Sequence, residues 1–268
     1  MHQFRLETRR AVEAVERALH LTAPGALVGE LAPKGDRDLV TAADIAVEED
    51  LRRALVNGTG FAVIGEERGG EVPDDGSPYW LVDPICGTRN FASGIRLFSV
   101  NLALVEGGRV VASVVGDASS GEIALAELGA GAWAMQDGSL HRLTASDESR
   151  TVVVEDGRAA GERREHAARF AAALMRADRW DFRSLGSTLG LPWVAAGKVA
   201  AYIVFWVPAL HTAAGSLLVT EAGGYLSDVH GEPWTLASDS IVASGASALY
   251  ADLQSLIHEA RPYAVGRP

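Results

Sequence analysis

The residues best able to do chemistry fall in four short segments. Residues 81–91 (LVDPICGTRNF) follow an apolar run and carry a carboxylate at Asp83, a hydroxyl at Thr88 and the only cysteine of the chain, Cys86. Gly65-Glu66-Glu67 follows a second apolar run. Lys34 to Asp44 reads KGDRDLVTAAD, and His211-Thr212-Ala213-Ala214-Gly215 opens a helical stretch that ends Glu221-Ala222-Gly223-Gly224. Each segment alone is weak. Acids at strand ends are usually solvated, and DLVTAAD reads as a helix start with Thr41 as cap. Cys86 by itself is a small space-filling residue, and His211 a helix-start residue bonded to backbone. Together they say more. Carboxylates at the ends of several strands, beside a Gly-Thr pair, suit a hard divalent cation and a phosphate. Mg²⁺ takes oxygen ligands and often binds through one or two carboxylates plus substrate phosphate. The backbone N–H groups of Gly87 and Thr88 can receive phosphate oxygens.

The elements that must position these residues can be read from periodicity. ETRRAVEAVERAL, near 7–19, puts Ala11, Val12, Val15, Ala18 and Leu19 on one helical face. DIAVEEDLRRAL, 44–55, is a second amphipathic helix. FAVIG (61–65) and WLVDPI (80–85) read as buried strands. Residues 98–128 look like an antiparallel meander broken at Gly107-Gly108 and Ser119-Ser120-Gly121. Gly129-Ala130-Gly131 lacks the third glycine of a dinucleotide fingerprint and reads as a hairpin turn. The second half alternates: strand 152–156, helix 161–177, a turn at 183–186, helix 187–196, strand 200–207, helix 213–222, strand 240–245 and a last helix from Ser247. The C-terminal glycines 223 and 224 stop the third of these helices. The partition that follows is an N-terminal α+β half, 1–145, carrying most site motifs, and a C-terminal α/β half, 146–268, completing the site.

Composition narrows the partners. The chain has 268 residues, 48% hydrophobic and 22% charged, with a net charge of -11. An acidic chain is a poor fit for nucleic acid, whose affinity comes from Lys and Arg against phosphate, or for an anionic membrane surface. One cysteine cannot form an internal disulfide, so a reducing, cytoplasmic location is expected. No apolar run approaches the ~20 residues that span a bilayer. MHQFRLETRR is followed by no apolar core and is not expected to be a secretory signal.

The order DLVTAAD, GEE, WLVDPICGTRNF and then HTAAG…EAGG resembles the inositol monophosphatase superfamily over about residues 6–256. That superfamily includes fructose-1,6-bisphosphatases, histidinol-phosphate phosphatases and 3′-phosphoadenosine 5′-phosphate phosphatases. The resemblance implies a mixed α+β and α/β fold, a layered αβαβα sandwich with the metal site between the halves, often as a homodimer. It implies Glu66, Asp83 and the Ile85 carbonyl as ligands of the first metal, with Asp83 bridging to a second. Asp44 and Thr88 match the pair that positions the attacking water. Gly87 and Thr88 match the phosphate-cradling amides, and Lys34 a loop lysine near the metals. Arg183, Ser184 and Ser187 lie where the family contacts the non-phosphate part of the substrate, and Arg89 sits where it can reach an anion.

Two positions depart from the family pattern. The family motif D-P-x-D-G-T has Cys86 in place of its second aspartate, and W-D-x-A-A-G has Leu210-His211 in place of Trp-Asp. Both missing carboxylates would serve the second metal. The glutamate that contacts the ring in inositol-specific members falls at Val204, so a simple inositol phosphate is not the expected substrate. Mg²⁺ binds thiolate and imidazole poorly, so ordinary Mg²⁺-dependent phosphatase activity is expected to be small. One Mg²⁺ at Glu66, Asp83 and Ile85 remains compatible with the residues. Three readings stay open: a second metal exchanged for a softer ion such as Zn²⁺ or Fe²⁺; no second metal, with Cys86 and His211 as a thiol–imidazole nucleophile; or a site that binds without hydrolysing, in a structural or partner subunit. Two changes far apart in sequence falling on one metal favour a reused site. The expected protein handles a phosphate- or sulfate-bearing small molecule in a specialised biosynthetic pathway, as an enzyme, homodimeric or with a partner subunit. The alternatives are a conventional metal-dependent phosphomonoesterase and an inactive subunit. Arg163 and Arg164 read as a solvated helix face, and Phe205 and Trp206 as either pocket wall or core.

Overall fold

The computed structural model describes residues 1–23, 32–35, 38–157 and 159–262, with backbone alone over 32–35 and 38–40. Helix α1 (Leu6–Leu21) buries the expected stripe of Ala11, Val12, Val15 and Ala18. A short antiparallel hairpin, β1 (Ala32–Gly35) and β2 (Asp38–Val40), precedes α2 (Ala42–Thr59). Thr41 caps α2 as its sequence predicts. Its hydroxyl accepts from the Asp44 N–H, and the Asp44 carboxylate accepts the Thr41 N–H at 2.8 Å. The cap therefore fixes Asp44 at the helix mouth.

Strands β3 (Ala62–Gly65) and β4 (Tyr79–Cys86) run parallel, and β4 turns into the short helix α3 (Thr88–Ala92). The meander follows as β5 (Ser99–Glu106), β6 (Arg109–Asp117), β7 (Ile123–Glu127), β8 (Gly131–Gln136) and β9 (Ser139–Arg142). These seven strands form one sheet in chain order, β3 to β9. Gly129 to Gly131 close the β7–β8 hairpin, as expected.

A second sheet is built from β10 (Thr151–Glu155), β11 (Asp181–Arg183), β12 (Ala201–Val204), β13 (Tyr225–Ser227) and β14 (Ile241–Ser244), in the order β11-β10-β12-β14-β13. Between them lie α4 (Gly161–Ala177), α5 (Gly190–Ala195), α6 (Ala209–Glu221) and, last, α7 (Ser247–Glu259).

The layers follow from which face each apolar stripe covers. Helices α1 and α2 pack on one face of the first sheet with Trp80, Val82, Leu102 and Leu125. Ala213, Leu217 and Leu218 of α6 cover its other face. Leu191, Val194 and Val219 of α5 and α6 pack on the second sheet, whose outer face is closed by Phe170 and Leu174 of α4 and Leu253 and Ile257 of α7. The result is the expected αβαβα sandwich. Among the described residues no helix is long and apolar enough to cross a membrane.

Several boundaries differ from the sequence reading. Strand β12 ends at Val204, so Phe205 to Val207 lie beyond it. Arg183 ends strand β11 instead of opening a turn, and α5 is shorter than 187–196. Helix α6 begins at Ala209, which places His211 in its first turn. Strands β3 and β4, read only as buried strands, are a parallel pair at the edge of the antiparallel meander.

Candidate active site

The β4–β5 ladder shifts register between Asp83, which pairs with Asn101, and Cys86, which pairs with Ser99. Pro84 has no N–H to give the ladder, so a bulge falls here. It leaves both Asp83 and Cys86 near the mouth of the strand. Gly87 then adopts φ +119°, and a Cβ there would lie 2.9 Å from the Leu97 carbonyl oxygen, so only glycine makes this bend. The chain emerges into α3 with the Thr88 hydroxyl donating to Asp44 Oδ1 at 3.0 Å, and with the Ile85 carbonyl oxygen 3.3 Å away. Burial pushes the Asp44 carboxyl above its ordinary value against the bonds from Thr41 and Thr88.

Glu66 is placed by a residue that the sequence did not single out. Glu48 on α2 is wholly buried. Its carboxylate accepts the N–H of Glu67 at 2.6 Å and of Arg68 at 2.9 Å, and Arg52 Nη2 at 3.1 Å. A Cβ at Gly65 would stand 2.1 Å from Glu48 Oε1. The glycine of GEE thus makes room for the acid that holds the turn.

The deep corner of the site is formed by Asp83, Cys86 and His211, all buried. One ligating atom from each lies within 4.8 Å of the others. His211 Nδ1 meets Asp83 Oδ2 at 2.7 Å and lies 3.9 Å from Glu66 Oε2. Asn101 Nδ2 donates to Thr188 Oγ1 at 3.1 Å, with Asp83 Oδ2 at 3.3 Å, and the Thr188 hydroxyl donates to Cys86 Sγ at 3.0 Å. Asp83 Oδ1 is buried with no hydrogen-bond partner among the described residues. Burial pulls the His211 imidazole down, but the Asp83 charge and hydrogen bond, with Cys86 and Glu66, hold it well above its usual range. Burial pushes Asp83 up, and His211 more than reverses this, leaving it below the ordinary carboxylate value. Burial and then the Asp83 charge push the Cys86 thiol up, outweighing the lowering contributions of His211 and Thr188. A thiol activated by a neighbouring imidazole, one reading of the sequence, is the opposite of this balance.

These groups open onto a cavity of about 520 Å³. Glu66, Ile85, Cys86, Gly87, Thr88 and His211 line it, with Arg89 and Ser187. Its lining also includes Val204, Trp206, Val207 and Pro208, together with Arg164 and Asp156.

Some sequence candidates fall elsewhere. Arg183 is exposed on edge strand β11, and Ser184 donates to Glu155 Oε2 at 2.8 Å; neither lines the cavity. Ser187 is bonded to the Cys86 carbonyl at 2.7 Å. Lys34 lies on β1, and its side chain is outside the described residues. Arg164, read as a solvated helix face, reaches the cavity 3.8 Å from Asp156, while Arg163 pairs with Asp239 at 2.7 Å. Trp206 is pocket wall, whereas Phe205 packs against His166 and Phe170 in the core. Asn101 and Thr188 were missed. A lone amide in the apolar run SVNLALV was the available signal for the first.

With this geometry in hand, the comparisons are decisive on ancestry. The sequence profile of the Inositol monophosphatase family matches residues 3–261. The chain belongs to the inositol monophosphatase family. It is 35% identical over 215 residues to an inositol-1-monophosphatase of Mesorhizobium japonicum, covering 78% of this chain and 79% of that one. It is 32% identical over 240 residues to the Nus factor SuhB of Salmonella typhimurium strain 14028s, covering 86% of each. The solved extragenic suppressor protein SuhB of Bartonella henselae superposes with a TM-score of 0.85 at 26% identity, covering 94% of this chain and 98% of that one.

The family is one of metal-dependent phosphatases acting on small phosphate esters, which makes the donor set a test of this member. Glu66, Asp83 and the Ile85 carbonyl offer only oxygen, and the unpartnered buried Asp83 Oδ1 is a donor that a cation would satisfy. This corner fits Mg²⁺. The Asp83–Cys86–His211 corner does not, because it offers one sulfur and one nitrogen to an ion that prefers six oxygens.

Proposed function

We propose that this family member handles a phosphate- or sulfate-bearing small molecule through a remodelled second-cation corner, with little ordinary Mg²⁺-dependent phosphatase activity. The observation that supports this most is the 2.7 Å contact of His211 Nδ1 with Asp83 Oδ2, with Cys86 beside it. A carboxylate needed by a second Mg²⁺ is instead committed to an imidazole.

The remaining residues have roles that their geometry supports. Glu66, Asp83 and the Ile85 carbonyl would hold one Mg²⁺, which supplies Lewis-acid activation when bound. Asp44 accepts from Thr88, and this pair can orient a water in the cavity. The backbone N–H groups of Gly87 and Thr88 would receive the phosphate or sulfate oxygens, with Arg89 as a further cation and Ser187 beside it. Val204 and Trp206 give the rest of the substrate an apolar wall, which suits a less hydroxylated group than an inositol ring. The setting we infer is a specialised biosynthetic step, on the strength of the departures at positions 86 and 211.

The intact Asp44–Thr88–Ile85 arrangement favours a second reading, conventional phosphomonoester hydrolysis. Turnover on a panel of phosphate esters with Mg²⁺ separates the two. Slow turnover that rises about 100-fold or more in the double variant Cys86→Asp, His211→Asp supports the first, because restoring a second metal restores several kcal/mol of transition-state stabilisation. Brisk turnover by the parent chain establishes the second.

A further inference from the structure

We propose that Asp83, Cys86 and His211 form a binding site for a thiophilic divalent cation of the zinc type, a deepening that rests on the remodelled corner just described. Three observations converge. The donor set is one carboxylate, one thiol and one imidazole, which zinc accepts and Mg²⁺ does not. Their ligating atoms already lie within 4.8 Å of one another. Bond lengths of about 2.0–2.3 Å to a tetrahedral ion require donor separations of about 3.3–3.8 Å. The His211–Asp83 pair at 2.7 Å therefore needs to open by only about half an ångström to admit the ion.

The outer contacts match those of a ligand set. Thr188 donates to Cys86 Sγ at 3.0 Å, and Asn101 reaches both Asp83 Oδ2 and Thr188 Oγ1. Such second contacts fix the orientation of metal ligands and tune their affinity. Cys86 and His211 both line the cavity, so the fourth position faces the substrate space. Three protein ligands with an open fourth place describe a catalytic zinc geometry, whereas structural sites close all four. Binding displaces the Cys86 thiol proton and the proton on the ligating nitrogen of His211, and both go to water.

The test uses the full chain, stripped with chelator and titrated with Co²⁺ and then Zn²⁺. The site predicts an intense tetrahedral Co²⁺ spectrum with a thiolate-to-cobalt charge-transfer band, displaced by Zn²⁺ and untouched by a large excess of Mg²⁺. Cys86→Ser removes that band. Thr188→Val, which leaves all three ligands in place, weakens Zn²⁺ by about 10-fold or more through the lost contact to sulfur. Circular dichroism confirms that each variant is folded, and the separate variant His211→Ala guards against misfolding in one of them. A Co²⁺ spectrum with no thiolate band, or a folded Cys86→Ser chain binding Zn²⁺ as tightly as the parent, overturns the site. Loss of the zinc site with Mg²⁺ turnover still slow leaves the remodelled-corner reading standing. Brisk Mg²⁺ turnover removes that reading whatever zinc does.

Discussion

Glu48 shows how one side chain outside the cavity governs a ligand inside it. Its carboxylate has no exposure and accepts two consecutive backbone N–H groups and an arginine. Truncation removes the acceptor of two part-buried N–H groups and of Arg52, each loss costing about 1 kcal/mol or more. Glu48→Ala should therefore lose on the order of 3 kcal/mol in urea unfolding. Glu48→Gln should keep most of that stability yet weaken Mg²⁺ binding, because its amide presents a donor to an N–H and tilts the turn that carries Glu66. Calorimetric titration of the Gln variant with Mg²⁺ showing parental affinity would leave Glu48 a purely structural residue. At this scale the candidates that the structure brings together, Asp44 with Thr88 and Glu66, Asp83 and Cys86 with His211, could be singled out from type, spacing and resemblance. What supports them was not. Glu48 sits among the charges of an amphipathic helix, where an acid is expected to be solvated. Its inward turn is fixed only by tertiary contact with a loop some twenty residues on.

At the scale of elements, the turn after β11 depends on the end of β10. Glu155 accepts the N–H groups of Leu185 at 2.5 Å and Gly186 at 3.0 Å, and the Ser184 hydroxyl at 2.8 Å. This bends the chain so that Ser187 and Thr188 enter the site. Burial nonetheless raises the Glu155 carboxyl above its ordinary value, with Asp156 adding to the rise. A folded-state value above the unfolded one contributes stability that is complete below the unfolded carboxylate range and is lost as pH rises through the folded value. Glu155→Gln keeps acceptors for the backbone and a donor for the two-way hydroxyl of Ser184, and has nothing to ionise. Its melting temperature relative to the parent should therefore improve from pH 4 to pH 8; an advantage that shrinks over that interval contradicts the account. The same turn marks where the sequence reading failed. Strands β11 and β13 are three residues each and exist through pairing with strands distant in sequence, so local periodicity has too few residues to register them. The long helices and the β5–β7 meander carry several periods each and were read within a few residues of their ends.

The whole molecule is joined by α6. Adjacent residues of this helix face opposite ways: Leu218 packs with Ala103, Val115 and Ala124 of the first sheet, and Val219 with Val153, Tyr202 and Ala243 of the second. That explains why α6 shows no polar face, reading as apolar along most of its length instead of amphipathic. It is also why the site lies where it does. The first turn of α6 carries His211 to Asp83 on β4, so the helix that seals the two sheets together also closes the corner between them. The two sheets should then unfold as one cooperative unit in spite of their separate hydrogen-bonding networks. Leu218→Ala opens a void in the first core only, costing about 2–5 kcal/mol. Because the helix is shared, that loss should lower a single transition, with far-UV circular dichroism and tryptophan fluorescence still coincident. If the sheets are energetically separate, the variant would instead split the curve, its second sheet melting at the parental midpoint while the first melts early. A split of that kind would also detach His211 from Asp83 before the second sheet is lost. The Co²⁺ band tied to Cys86 would then change shape ahead of global unfolding, whereas a single unit requires band and fold to disappear together.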